Sequence, residues 1–135
     1  MKAINKKAQK VLETLIAGLD EDNRYKKIDN SNGTFMAVSV EDVGVLYGLS
    51  YGEMFSVAHY FSQNGDLMAD PEMIFWKGSD GRYYPTYFKM DATAFVEESI
   101  FFEGGKPVKF SPRTQKDHAV FAGTWMMNIK QQQGL

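Results

Sequence analysis

Between His59 and Phe75 the chain gathers His59, Asn64, Asp66, Asp70 and Glu72, flanked on both sides by apolar residues. These are residue types that can do chemistry. His59 beside Asp66 or Asp70 would form a general base with its orienting carboxylate, and Glu72 would supply an acid. The same set would make a metal-dependent or acid/base hydrolase centred on His59, Asp66, Asp70 and Glu72. The spacing does not fit the calcium loop of an EF-hand, which needs alternate oxygen ligands closed by a glutamate. Zinc would need three or four ligands, and the only two histidines, His59 and His118, are far apart in sequence, with no cysteine to help. Neither a metal nor a cofactor is expected.

A plainer account exists for most of these residues. Asn64-Gly65 and Asp70-Pro71 are turn dipeptides, in which short carboxylates and amides bond the nearby backbone. His59 alternates with Phe55, Val57 and Phe61, as a buried, hydrogen-bonded imidazole on a strand would. Glu72 is the residue that turn geometry explains least. Ser56 and Ser62 are available nucleophiles, but there is no Gly-x-Ser-x-Gly elbow, phosphate-binding loop, dinucleotide fingerprint or His-Glu-x-x-His. An enzyme is therefore the less favoured reading.

A second feature is aromatic. The chain holds ten Phe, seven Tyr and two Trp, and Tyr83-Tyr84-Pro85-Thr86-Tyr87-Phe88 places aromatic neighbours on both faces of a strand. Tyrosine combines contact area with a polar tip, so Tyr84 and Tyr87 are candidates for a protein-binding surface. Were that strand an edge, it could extend a partner's sheet or pair with its own copy in a homo-oligomer. Stacking of single-stranded bases is the alternative use, but Lys77, Arg82 and Lys89 are a thin supply of cations for it.

The elements that must position these residues follow from periodicity. Ile4, Ala8, Val11, Leu12, Leu15, Ile16 and Leu19 recur at helical spacing, with Lys6, Lys10 and Glu13 opposite, which predicts an amphipathic helix over 3–19. Tyr25–Asp29 and Phe35–Val40 read as strands joined at Asn30-Ser31-Asn32-Gly33. Residues 41–52 read as a short strand or irregular loop punctuated by glycine. Further strands are predicted at Met54–Ser62, Glu72–Lys77, Arg82–Met90 and Phe95–Glu103, the last turning through Gly104-Gly105 toward Val108–Phe110. Pro85 marks an edge strand or a bulge. Ser111 and Pro112 open a closing helix whose stripe is His118, Phe121, Ala122, Trp125 and Ile129, with Gln131-Gln132-Gln133-Gly134 fraying. The expected fold is α+β, a mostly antiparallel sheet of about five strands with a helix at each end.

With 135 residues the chain is expected to form one domain over 1–135. A formal net charge of −2 supplies no basic excess for phosphate binding. Without cysteine there is no disulfide, and a reducing cytoplasm is the expected compartment. No apolar run is long enough to span a membrane.

Val57-Ala58-His59-Tyr60, Asn64-Gly65-Asp66-Leu67-Met68, Asp70-Pro71-Glu72-Met73, Tyr83-Tyr84-Pro85, Tyr87-Phe88, Phe121 and Trp125 together carry a resemblance. Over residues 25–130 the chain resembles an uncharacterised family, a domain of unknown function, of small proteins carried on plasmids, conjugative elements and phages. That resemblance implies a fold and a genetic context, and no reaction or catalytic residue. The expectation is a non-enzymatic accessory protein that binds another macromolecule, a protein before a nucleic acid, in the sharpest form to counter a host defence system.

Overall fold

The computed structural model describes residues 1–46, 49–50 and 52–135. Helix α1 spans Lys6–Ile16. It starts at Asn5, whose side chain accepts the Ala8 N–H at 2.8 Å, and it gives way at Gly18, which adopts φ +85°. The helix is shorter than 3–19 because Ile4 is used elsewhere: its N–H bonds the Tyr83 carbonyl at 3.0 Å.

The main sheet has six antiparallel strands in the order β1-β2-β5-β6-β7-β8. They are β1 (Tyr25–Ile28), β2 (Val38–Asp42), β5 (Met54–Gln63), β6 (Asp66–Lys77), β7 (Tyr83–Met90) and β8 (Phe95–Glu98). Among the described residues two separate antiparallel strand pairs accompany it: β3 (Val45–Leu46) with β4 (Leu49–Ser50), and β9 (Ile100–Glu103) with β10 (Lys106–Phe110). The 41–52 segment thus includes paired strand residues, while 47, 48 and 51 lie outside the described residues. Helix α2 runs Pro112–Gln133 from an N-cap at Ser111.

Three expectations are corrected. Asp70-Pro71 is not a turn. Ala58 pairs with Glu72 and Tyr60 with Ala69, so Asp70 and Pro71 together face the single residue His59 as a bulge inside one continuous strand. Proline is tolerated there because a bulged residue needs no ladder N–H. Phe95–Glu103 is not one strand. It breaks at Ser99, which is fully buried, and its halves join different sheets. The glutamine tail does not fray. Gln133 is 2 % exposed, accepts the Asn30 N–H at 2.7 Å and donates to the Met36 carbonyl at 3.2 Å. Gly134, at φ +64°, ends the helix only after those bonds are made.

Both helices lie on one face of the sheet. Leu12 and Leu15 of α1, and Ala122, Met126 and Ile129 of α2, pack with Val38, Val40, Val57, Met73 and Phe75. Each large side chain buried there contributes roughly 1.5–3 kcal/mol as an upper estimate. A smaller cluster joins Ala3, Tyr84 and Ile100 with Trp76 and Phe102. Among the described residues, no helix is long and apolar enough to cross a membrane.

Candidate functional site

Alternation along β5 and β6 sends neighbouring residues to opposite faces, and this separates the residues singled out by sequence. His59 faces the helices. It is 5 % exposed, its Nδ1 lies 3.2 Å from the Ala37 carbonyl, and its ring meets Trp125 edge-on at 5.5 Å. Burial holds its pKa below the usual histidine value, partly offset by the Ala37 bond and the nearby Asp70 charge. Asn64 and Gly65, at φ +53° and +84°, form the two-residue hairpin between Gln63 and Asp66. Asp66 is the exposed first residue of β6 rather than part of that turn. Its β5 partner Gln63 is five residues from Ala58, the partner of Glu72, which sets the two carboxylates about 17 Å apart along the strand. The hydrolase constellation is therefore not assembled, and among the described residues no group of three or more such side chains could hold a metal ion.

His118 has the more complete set of partners. Its Nδ1 is 2.9 Å from Ser99 Oγ and its Nε2 is 2.8 Å from Glu97 Oε1, with Phe88 stacked on the ring at 5.9 Å. Serine, histidine and glutamate in line resemble a nucleophile with its base and orienter. However, Ser99 is 0 % exposed, its hydroxyl lies 3.1 Å from the Pro85 carbonyl as a donor to it, and a substrate has no route to that oxygen. The network instead fixes the break between β8 and β9 to α2.

Tyr84 is also structural. Its ring packs on Trp76 at 5.8 Å, and its hydroxyl donates to Asp80. That bond, with burial second, raises the Tyr84 pKa, and the same bond, with the Arg82 N–H second, lowers that of Asp80. Its strand is not an edge, since β7 lies between β6 and β8. Pro85 sits next to a bulge at Thr86, because Phe75 pairs with Pro85 while Ile74 pairs with Tyr87.

Glu72 and Tyr87 remain, and they come together on the sheet face opposite the helices. Glu72 Oε2 accepts from Ser56 Oγ at 2.6 Å and Tyr60 OH at 3.3 Å. Tyr87 is half-buried beside them, and burial first and Glu72 second raise its pKa. The same two causes, in the same order, raise Tyr60 much further. Next to them Tyr25 OH lies 3.2 Å from Ser39 Oγ. A cleft of about 490 Å³ opens here, lined by Tyr25, Lys27, Phe35, Glu41, Tyr60 and Leu67 among others. Tyr25, Phe35 and Leu67 are 52 %, 45 % and 68 % exposed. Small residues on this face, Ser39, Ser56 and Ala58, are buried, while the tyrosine rings beside them are not. Sequence reasoning weighed Glu72 and Tyr87 but not Tyr25, Ser39 and Tyr60. The Ser56-x-Ala58-x-Tyr60 alternation was the available signal.

This face offers aromatic and hydroxyl groups on a rigid sheet, with one carboxylate held by two donors. It is suited to contact and hydrogen bonding, and its serine–carboxylate pair, Ser56 with Glu72, has the hydroxyl buried. No curated protein and no solved structure matches the chain. One family model does match, over residues 1–135, and by that match the chain belongs to the family described as Domain of unknown function (DUF6908).

Proposed function

We propose that this is a non-enzymatic accessory protein of a mobile genetic element that binds a host protein in the cytoplasm through the open face of its sheet. The partner we propose is a component of a host defence system. The observation that carries the binding reading is the face itself: Tyr25, Tyr60 and Tyr87 with Ser39, Ser56 and Glu72, flanked by exposed Phe35 and Leu67. Tyrosine on a rigid scaffold gives large contact area and a polar tip at low entropic cost, and the buried Ser39 and Ser56 hold Tyr25 and Glu72 in place beneath. Exposed apolar residues gathered in one place mark interaction surfaces more often than scattered ones do. Glu41 and Glu72 beside Lys27 leave this face without the excess of cations that a phosphate backbone needs. The mobile-element context is supported by the sequence resemblance described above.

The test compares proteins captured from host cells by the wild type and by a Tyr25→Ala/Tyr60→Ala variant of unchanged thermal stability. A specific protein retained by the wild type and lost by the variant supports the reading. Equal capture by both, or turnover of a small substrate by the purified protein, overturns it.

A further inference from the structure

A second surface lies on the opposite side of the molecule, where α1 and α2 diverge. A groove of about 1150 Å³ is lined by both, together with residues 2–5 and the loop at Asp80–Arg82. Its two walls differ in chemistry. The α1 wall presents Lys6, Gln9, Lys10 and Glu13, at the i, i+3, i+4, i+7 spacing of one exposed helix face. The α2 wall carries no charge: it presents Ala119, Val120, Gly123 and Met127, with the polar Thr124 and Asn128 beside them. Val120 is 55 % and Met127 36 % exposed. Lys2 and Arg82 add two further cations to the lining. Among the described residues none of these four cations is in an ion pair. Asp80, the acid nearest Arg82, already accepts from Tyr84 OH and the Arg82 N–H.

We infer that this groove is a docking site for an acidic amphipathic helix of a protein partner. The apolar stripe of such a helix would lie on Val120 and Met127, and its carboxylates would face Lys6, Lys10, Lys2 and Arg82. The walls select this occupant. A bare polyanion would leave Val120 and Met127 exposed to water, and an apolar helix without acids would leave the lysines unpaired. The size agrees: from Ala119 to Asn128 the α2 wall is about 13 Å long, enough for two to three turns of a partner helix. The rigid floor is set where Gly123 passes Asn5, since a Cβ at Gly123 would stand 2.9 Å from the Asn5 side-chain nitrogen.

The probe is a synthetic amphipathic peptide of about 18 residues with leucine at helical spacing and glutamate elsewhere, labelled for fluorescence anisotropy. Its counterpart carries lysine in place of glutamate, and a labelled oligodeoxythymidine is the third ligand. The expected result is saturable binding of the acidic peptide alone, weakening as salt is raised. Lys6→Glu/Lys10→Glu should reduce affinity roughly tenfold or more. Val120→Asp should also weaken it, whereas Lys106→Glu/Lys116→Glu, an equal charge change outside the groove, should not. The inference is overturned if the acidic peptide binds no better than its lysine counterpart, if the oligonucleotide binds more tightly, or if the two double variants lose affinity equally.

Discussion

Where β5 pairs with β6, residues one position apart meet two different environments. On the helix-covered face, His59 is sealed between the Ala37 carbonyl and the edge of Trp125. On the open face, beside its neighbour Ala58, Glu72 is half-exposed and held by Ser56 and Tyr60. Both are polar groups with partners, yet only the second can be reached by another molecule. A titratable residue is informative about function only once its face is known, and a shift of one residue in register would exchange the two roles.

The largest expected effects lie on the covered face. Phe75 is 0 % exposed at the centre of the core, and Phe75→Ala should cost about 3–5 kcal/mol in chemical denaturation. A cost below that of an open-face substitution such as Tyr25→Ala would break the division between the faces. Ser99→Ala comes next, at about 1–3 kcal/mol, because it strips a buried partner from His118 Nδ1. If Ser99 were instead a nucleophile, the variant would keep its stability and lose a hydrolytic activity, so parallel measurement of both separates the two roles.

A third contrast is in pH. Burial lowers the folded-state pKa of His59, so the unfolded chain binds more protons near and below the ordinary histidine pKa. The stability this residue contributes is complete above about pH 6.5 and declines as pH falls toward its folded value, by at most about 1.4 kcal/mol per pH unit. His59→Gln should flatten the acid side of the stability profile measured from pH 7 down to 5. An unchanged slope would mean that His59 takes up its proton as readily in the fold as in the unfolded chain, against its surroundings.

Much of this arrangement is legible in sequence, and the exceptions share a cause. The apolar periods of α1 and α2, the Asn64-Gly65 hairpin and the α+β class follow from local rules. Asp70-Pro71 misleads because a turn dipeptide within a strand can be absorbed as a bulge once β5 supplies a continuous partner. Gln133 misleads because its helical end is held by Asn30, 103 positions away in the chain. The pairing of Ser99, His118 and Glu97 joins a strand break to a distant helix, and no local pattern encodes that. Tyr84 and Tyr87 belong to one aromatic run, but only the packing of β9 against Trp76 and Tyr84 shows which of them is covered.

The smallest effect sharpens the open face itself. Glu72→Gln keeps a side-chain acceptor for Ser56 and Tyr60, and at a half-exposed position it should change stability by about 1 kcal/mol or less. Its effect should appear in Tyr60 instead. Burial is the leading reason that this hydroxyl resists ionisation, and the Glu72 charge is the next. Removing the charge leaves the burial and takes away the repulsion, so Tyr60 should titrate at lower pH in the variant, though still above a free tyrosine. Alkaline absorbance titration, with Tyr60 isolated by difference against Tyr60→Phe, measures this directly. An unmoved Tyr60 titration would separate the two residues electrically and remove Glu72 from the surface proposed for binding. A downward shift at unchanged stability would establish the carboxylate and the tyrosine as one polar unit, held ready on the face that the helices leave open.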